Sequence, residues 1–417
     1  MSELGPADRA RDLADLAREE PSSVDPEELA ALLDADAADA RWYALQALRT
    51  AAGVGAIDLS TFVGDLRGAL ADPDARVRST AAMAIGDVAA RDPTAVADHV
   101  EPMTDLLSGD DELVRTAVTD YLYRLADAAD DPDSGVDPAA LEVAVADLRG
   151  LLEDPAQREN AVLALGPIAD RYAGRLTGDV DAFREVFLAA SDGPGGVDID
   201  GSATHQTREH IQDSTANAKV KRRAIRNAAG RALVAVARED PTAVVESLPA
   251  LADALEDPNP DARSFALEAF EAAAAGHADA VSQHLDRIAA RLEDGTGVRE
   301  HATLALAAVS QSDPDAVVEA VGPYHDAVVD LLGHQSPAVR GAAVGLLSYL
   351  AEESPGSVDP GPVRPLLDDD EAYVRGNAAW VLGYLEDEEA RAAIAERAAD
   401  DPDPEVRSAA EAALDRL

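Results

Sequence analysis

The sequence predicts an all-α chain, an α-α superhelix of about ten two-helix repeats, and three observations predict it. A motif centred on arginine recurs at Arg41, Arg78, Arg115, Arg158, Arg226, Arg263, Arg299, Arg340, Arg375 and Arg407. Apolar residues follow each arginine at helical spacing. An acidic or Ser/Pro turn precedes it. Successive arginines lie 32 residues (Arg375 to Arg407) to 43 residues (Arg115 to Arg158) apart, except for 68 between Arg158 and Arg226. A period near 40 fits a unit of two helices and their turns.

The helix that carries the arginine is the clearer of the two. At +3, +6, +7 and +10 from Arg78 stand Ala81, Ala84, Ile85 and Val88. The same offsets from Arg340 give Ala343, Leu346, Leu347 and Leu350, and from Arg226 give Ala229, Ala232, Leu233 and Val236. Steps of three and four residues put these side chains on one face. The alanine at +3 lets a neighbouring helix approach closely.

Each turn has its own chemistry. Asp72-Pro73, Asp154-Pro155, Asp257-Pro258 and Asp401-Pro402 stop one helix and launch the next. Proline cannot continue a helix interior, and Asp or Ser caps a new one. Ahead of the turns, residues 59–70, 95–107, 243–255 and 280–292 read as the first helices of their pairs, and 181–190 as that of the fifth repeat. One array over residues 1–417 is the expected organisation, because repeats that contact only their neighbours are not limited by the size of a single core.

Apolar residues make up 47% of the chain but aromatics only 4%, so the core is built of Ala, Leu and Val. The formal net charge is −46, and Lys219 and Lys221 are the only lysines. Acidity on this scale reads as solvation, since net charge governs solubility before it governs partners. The pattern resembles that of proteins from a salt-rich cytoplasm, where a short Debye length screens the repulsion. No cysteine is present, which excludes disulfides, thiolate metal sites and cysteine nucleophiles. The polar, acidic first twenty residues hold no signal-peptide core, and no apolar run reaches a membrane span. A cytoplasmic, monomeric protein without cofactor is the expectation.

The repeat resembles the HEAT family, including the short Ala-rich form of the phycobilin-lyase-like repeats, over roughly residues 25–417. The copies at 72–89 and 334–351 carry the resemblance most clearly. It implies a ladder between adjacent repeats, with Asp72 and Arg78, Asp257 and Arg263, and Asp403 and Arg407 as members. The recurring arginines are therefore scaffold. Deoxyhypusine hydroxylase, a HEAT-like enzyme, carries repeated His-Glu pairs as iron ligands; this chain has no His-Glu dipeptide, and Glu300-His301 runs in the reverse order. Nor is there a phosphate loop, a GxSxG elbow or an HExxH stretch.

The long gap holds an insert, residues 191–218, rich in Gly, Ser and Asp, with the second helix expected to restart near Lys219. Such loops are functional or disordered. Within it, residues 198–209 partly resemble an EF-hand calcium loop, with Asp198, Asp200 and Ser202 at positions one, three and five and Glu209 at twelve. Ala203 stands where that turn demands Gly, and the preceding GPGGV is no helix. His205 and His210, five apart, read as surface histidines. Next comes the one dense basic cluster, Lys219, Lys221, Arg222 and Arg223, with Arg226 as the scaffold residue.

Positions +1, +2, +5 and +9 from each repeat arginine fall off the core face. Most are small or polar. The exceptions are Trp42, Tyr43, Phe265, Tyr349, Trp380 and Tyr384. Tyr349, Trp380 and Tyr384 are expected to form one patch, and aromatic anchors of this kind mark binding surfaces. The leading expectation is a non-enzymatic scaffold that holds a protein partner in the groove lined by the second helices. The alternative is a nucleic-acid- or phosphate-binding module built on the basic cluster, although that cluster lacks aromatics for base stacking. A lyase-like enzyme stands last, because no catalytic constellation is visible.

Overall fold

The computed structural model describes residues 5–109, 111–189 and 205–417, with 205–218 described by the backbone alone. Every described element is helical, α or 3-10, in the α-α superhelix class. Each repeat arginine lies on a helix: Ala38–Gly53, Ala75–Ala89, Glu112–Ala129, Arg158–Leu165, His205–Glu239, Pro260–Ser282, Thr296–Ser310, Pro337–Glu353, Ala372–Tyr384 and Pro404–Leu414. Contacts divide the chain into two compact units, Met1–Ala232 and Leu233–Leu417.

The core follows the offsets. Ala81, Ala84, Ile85 and Val88 are buried, as are Ala343, Leu346, Leu347 and Leu350, and Ala229, Ala232, Leu233 and Val236. From Ala38–Gly53 to Arg158–Leu165, and from Pro260–Ser282 to Pro404–Leu414, each arginine helix packs on its successor. Small residues set the closest approach. A Cβ on Gly383 would lie 2.8 Å from both Cα and Cβ of Ala413. Capping is as the turns require: Asp74, Asp111 and Asp403 each accept a hydrogen bond from the backbone N–H two residues on.

The ladder exists, but its rungs are wired differently from the expectation. Arg41 donates to both carboxylate oxygens of Asp72, at 2.6 and 3.0 Å. Arg78 reaches the carbonyl of Asp72, at 2.7 Å, and not its carboxylate. The pattern repeats in the second unit. Arg340 donates to the Asp369 carboxylate at 2.7 and 2.9 Å, and Arg375 to the Asp369 carbonyl at 2.8 Å. Arg375 in turn holds the Asp401 carboxylate at 2.8 and 2.9 Å, and Arg407 the Asp401 carbonyl at 2.7 Å. Arg263 likewise takes the Asp257 carbonyl and the Asp294 carboxylate. One arginine thus clamps its own turn by the backbone and the next repeat's turn by the side chain. Asp401 is the ladder residue where Asp403 was expected; Asp403 caps its helix instead.

Two further expectations change. The first helices of the pairs are broken into short α and 3-10 segments, as in Pro93–His99, Val100–Thr104 and Asp105–Ser108. Residues at the joints sit near φ −100° and ψ 0°, as at Phe62, His99 and Val244, where 3-10 and α turns meet. The Arg226 helix does not restart near Lys219: it begins at His205 and runs to Glu239. A helix can start there because 205–218 contains no Pro or Gly and many residues that tolerate helix. Of the expected insert, only that stretch is described.

Candidate partner-binding site

The face at +1, +2, +5 and +9 holds several cavities, while another of about 550 Å³ lies off it, between Pro6 and residues 28–37. In the first unit, Ser79, Met83, Thr116, Ala117, Asp120, Asn160 and Leu163 fall on these offsets from Arg78, Arg115 and Arg158, and line a cavity of about 250 Å³. Leu113, largely exposed, and Lys221 complete its rim. A neighbouring cavity of about 300 Å³ is lined by Gln46, Arg49, Thr50, Thr80 and Met83. In the second unit, Gly376, Asn377 and Trp380 hold the offsets +1, +2 and +5 from Arg375. With Tyr373, Asp403, Glu405, Val406 and Ala409 they line a cavity of about 320 Å³ between the last two arginine helices.

The sequence-derived candidates distribute over these places. Trp380 and Tyr384 form one stacked pair, with centroids 5.9 Å apart and planes at 26°. The Arg416 guanidinium lies 5.2 Å from the first ring and 4.8 Å from the second. Burial, followed by a hydrogen bond with Glu352, raises the Tyr384 phenol above its ordinary pKa. Tyr349 is half-buried on the adjacent helix, and the ring contact is between Trp380 and Tyr384 alone. Glu352 is the group from that helix that meets Tyr384.

In the basic cluster, Lys219, Lys221, Arg222 and Arg223 are all exposed, while Arg226 is buried and donates to the Phe187 carbonyl at 3.0 Å. Of the four, Lys221 lines a cavity, with its ammonium 3.4 Å from the Asn160 side-chain oxygen. Asp198, Asp200 and Ser202 of the calcium candidate lie outside the described residues, as does the Glu209 side chain. Among the described residues, no cluster of His, Asp and Glu could hold a metal. His301 faces Glu268 at 3.6 Å, and Glu300 meets His334 at 2.9 Å.

Sequence reasoning missed Tyr373, Asn377, Asp403 and Glu405 as cavity walls. A signal for Tyr373 existed in Gly341: a Cβ there would run into the Tyr373 ring, so only a glycine leaves the ring its place. No described helix is long and apolar enough to cross a membrane.

Residues 325–415 match a family described as HEAT repeats, and residues 57–147 match one described as non-SMC mitotic condensation complex subunit 1. No curated protein matches the chain. Among solved structures, an engineered protein is similar at 20% identity and a TM-score of 0.65, over 94% of this chain and 98% of that one. A chain from work on a conserved phosphorylation switch controlling the interaction between cadherin and β-catenin is similar at 16% identity and a TM-score of 0.71, over 96% and 81%. The fold likeness and the two segment matches, with the arginine ladder, support a HEAT-type repeat chain.

Proposed function

We propose that the protein is a scaffold, not an enzyme, and that it holds a segment of a protein partner along the groove face of its arginine helices. The observation that carries this reading is the recurrence of cavities at the same offsets, +1, +2 and +5, in both units. A hollow at these offsets within each unit suits the entry of a peptide side chain between neighbouring arginine helices. Half-buried aromatics supply the anchors that dominate such interfaces. The description of one similar structure concerns a protein–protein interaction, which is consistent with the fold's use as a docking frame.

A second reading rests on the exposed cluster of Lys219, Lys221, Arg222 and Arg223. It would bind a polyanion through counterion release and weaken steeply with salt. Affinity capture from native lysate at high salt, with each captured component identified and its binding re-measured in purified form, tests both. If the groove reading holds, Trp380→Ala with Tyr384→Ala costs at least about 2 kcal/mol of binding to the purified protein partner. Reversing the four cations to Glu leaves that binding within about threefold, because exposed charges are screened there and aromatic burial is not. Collapse on charge reversal, with the aromatic pair neutral, would instead establish the polyanion reading.

A further inference from the structure

The first unit shows what one groove position can hold. Arg76, two residues before the repeat arginine Arg78, lies 5.1 Å over the Trp42 ring. Its guanidinium donates to Asp39 at 3.0 Å and to Asp74 at 2.8 Å. Asp39 stands two residues before Arg41, Trp42 one after it, and Asp74 four before Arg78. An arginine is thus held between an indole and two carboxylates in the space between successive arginine helices.

At the same register between the last two arginine helices, no arginine stands at the position of Arg76; the guanidinium over Trp380 is that of Arg416, which is not among the residues lining the cavity there. Asp403 takes the place of Asp74, and Glu405 takes that of Arg76. Tyr373 stands where Asp39 does, Gly376 where Trp42 does, and Trp380 supplies an indole one turn on. At this register lies the 320 Å³ cavity, whose lining includes two aromatic residues, Tyr373 and Trp380, and two acidic ones, Asp403 and Glu405. Asp403 accepts the Glu405 N–H at 2.8 Å. That does not disqualify it, because Asp74 accepts the Arg76 N–H at 2.8 Å and binds the Arg76 guanidinium at the same time.

We propose that this cavity takes the guanidinium of an arginine presented by the protein partner. The proposal rests on the groove reading and deepens it by giving the partner's chemistry. Arginine is favoured over lysine because its planar, weakly hydrated cation stacks on rings and bridges carboxylates. The chain uses the pairing itself at both of its tryptophans, with Arg76 over Trp42 and Arg416 over Trp380. Gly341 fits the assignment: it allows the Tyr373 ring to lie against the neighbouring helix at the cavity wall.

The test is titration of the full-length chain, at fixed salt, with acetyl-arginine methylamide, reading the two indole N–H resonances by NMR. Trp42→Phe assigns them. The expected result is a saturating shift at Trp380, with a dissociation constant in roughly the millimolar range for a lone side chain. Glu405→Gln weakens it at least about fivefold, and adding Asp403→Asn, which keeps the helix cap, weakens it further. The citrulline analogue, equal in shape and uncharged, gives no saturation. A linear response at Trp380, an equal response to citrulline, or indifference to Glu405→Gln overturns the assignment. Partner capture that depends on Trp380 and Tyr384 while arginine fails to bind sinks this proposal alone; arginine binding without partner capture sinks the groove reading alone.

Discussion

Arg375 and Asp401 are shut off from water, with side chains 9% and 0% exposed, and each of their hydrogen bonds is inside normal length. Removing one member strands the other, which in buried pairs costs about 3 kcal/mol or more. Asp401→Ala should therefore lower the urea midpoint strongly, whereas Glu388→Ala, which breaks an exposed pair with Arg391, should change stability by less than about 1 kcal/mol. The same carboxylates set the acid limit. Hydrogen bonds from Arg340, Arg364 and Arg375 hold Asp369, Asp387 and Asp401 below the ordinary carboxylate range, and Arg76 holds Asp74 at about 2. A depressed carboxylate contributes stability that is complete above its unfolded pKa, near 4, and is lost as pH falls through its folded pKa. Glu271, raised by burial, acts in the opposite sense and weakens the fold as pH rises past its unfolded value. Melting temperatures at high salt should fall between roughly pH 4 and 2, and Asp401→Asn should flatten that decline. The arginines were legible because they recur; their partners were not, because a turn such as Asp-Pro-Asp offers two aspartates and spacing does not say which faces back.

Helices with a strict apolar face were readable to within a few residues, as Ala75–Ala89 and Pro337–Glu353 show. The first helices were not, since apolar spacing alone does not distinguish a 3-10 turn from an α turn and Pro102, Pro249 and Pro323 sit inside them. The stretch from His205 was missed for the opposite reason: it carries no regular apolar stripe, so periodicity had nothing to report. Packing between helices gives a sharper test. Gly383→Val drives its side chain into the backbone of Ala413, which cannot swing aside, and should cost about 1–3 kcal/mol in chemical denaturation. Gly341→Ala meets only the far end of the Tyr373 side chain. That ring can rotate, so stability should change by less than about 1 kcal/mol while arginine binding at the cavity weakens. The cavity itself was half legible: its offsets and Trp380 were in the pattern, but its acidic wall comes from the following helix.

A formal charge of −46 on 417 residues makes self-repulsion a property of the whole chain. Screening lengths shrink from about 10 Å at 0.1 M salt to about 3 Å at 1 M. The melting temperature at neutral pH should therefore rise between low and molar potassium chloride, and a flat response in calorimetry would show that the acidity is not an adaptation to salt. Salt separates the two proposed readings. It weakens a polyanion complex steeply and leaves aromatic and apolar contacts intact. Two-helix repeats were evident from ten copies of one motif; the partner was not, because a groove records the shape and charge of what it holds and not its origin.

The wiring of the rungs has a consequence for how such a chain grows. At Asp72, Asp369 and Asp401 the turn aspartate offers its carboxylate to the arginine before it and its carbonyl to the arginine after it, as Asp369 does with Arg340 and Arg375. A gene segment running from one arginine codon to the next therefore encodes one complete donor and one complete acceptor. Duplicated in tandem, it closes bonds with both neighbours and leaves no charge stranded. Cut between Asp369 and Arg375 and rejoined out of phase, it would bury a carboxylate or a guanidinium without its mate. Lengthening and shortening of this lineage by in-frame recombination should thus be confined to whole periods, with the ladder acting as the proofreading step at the level of folding.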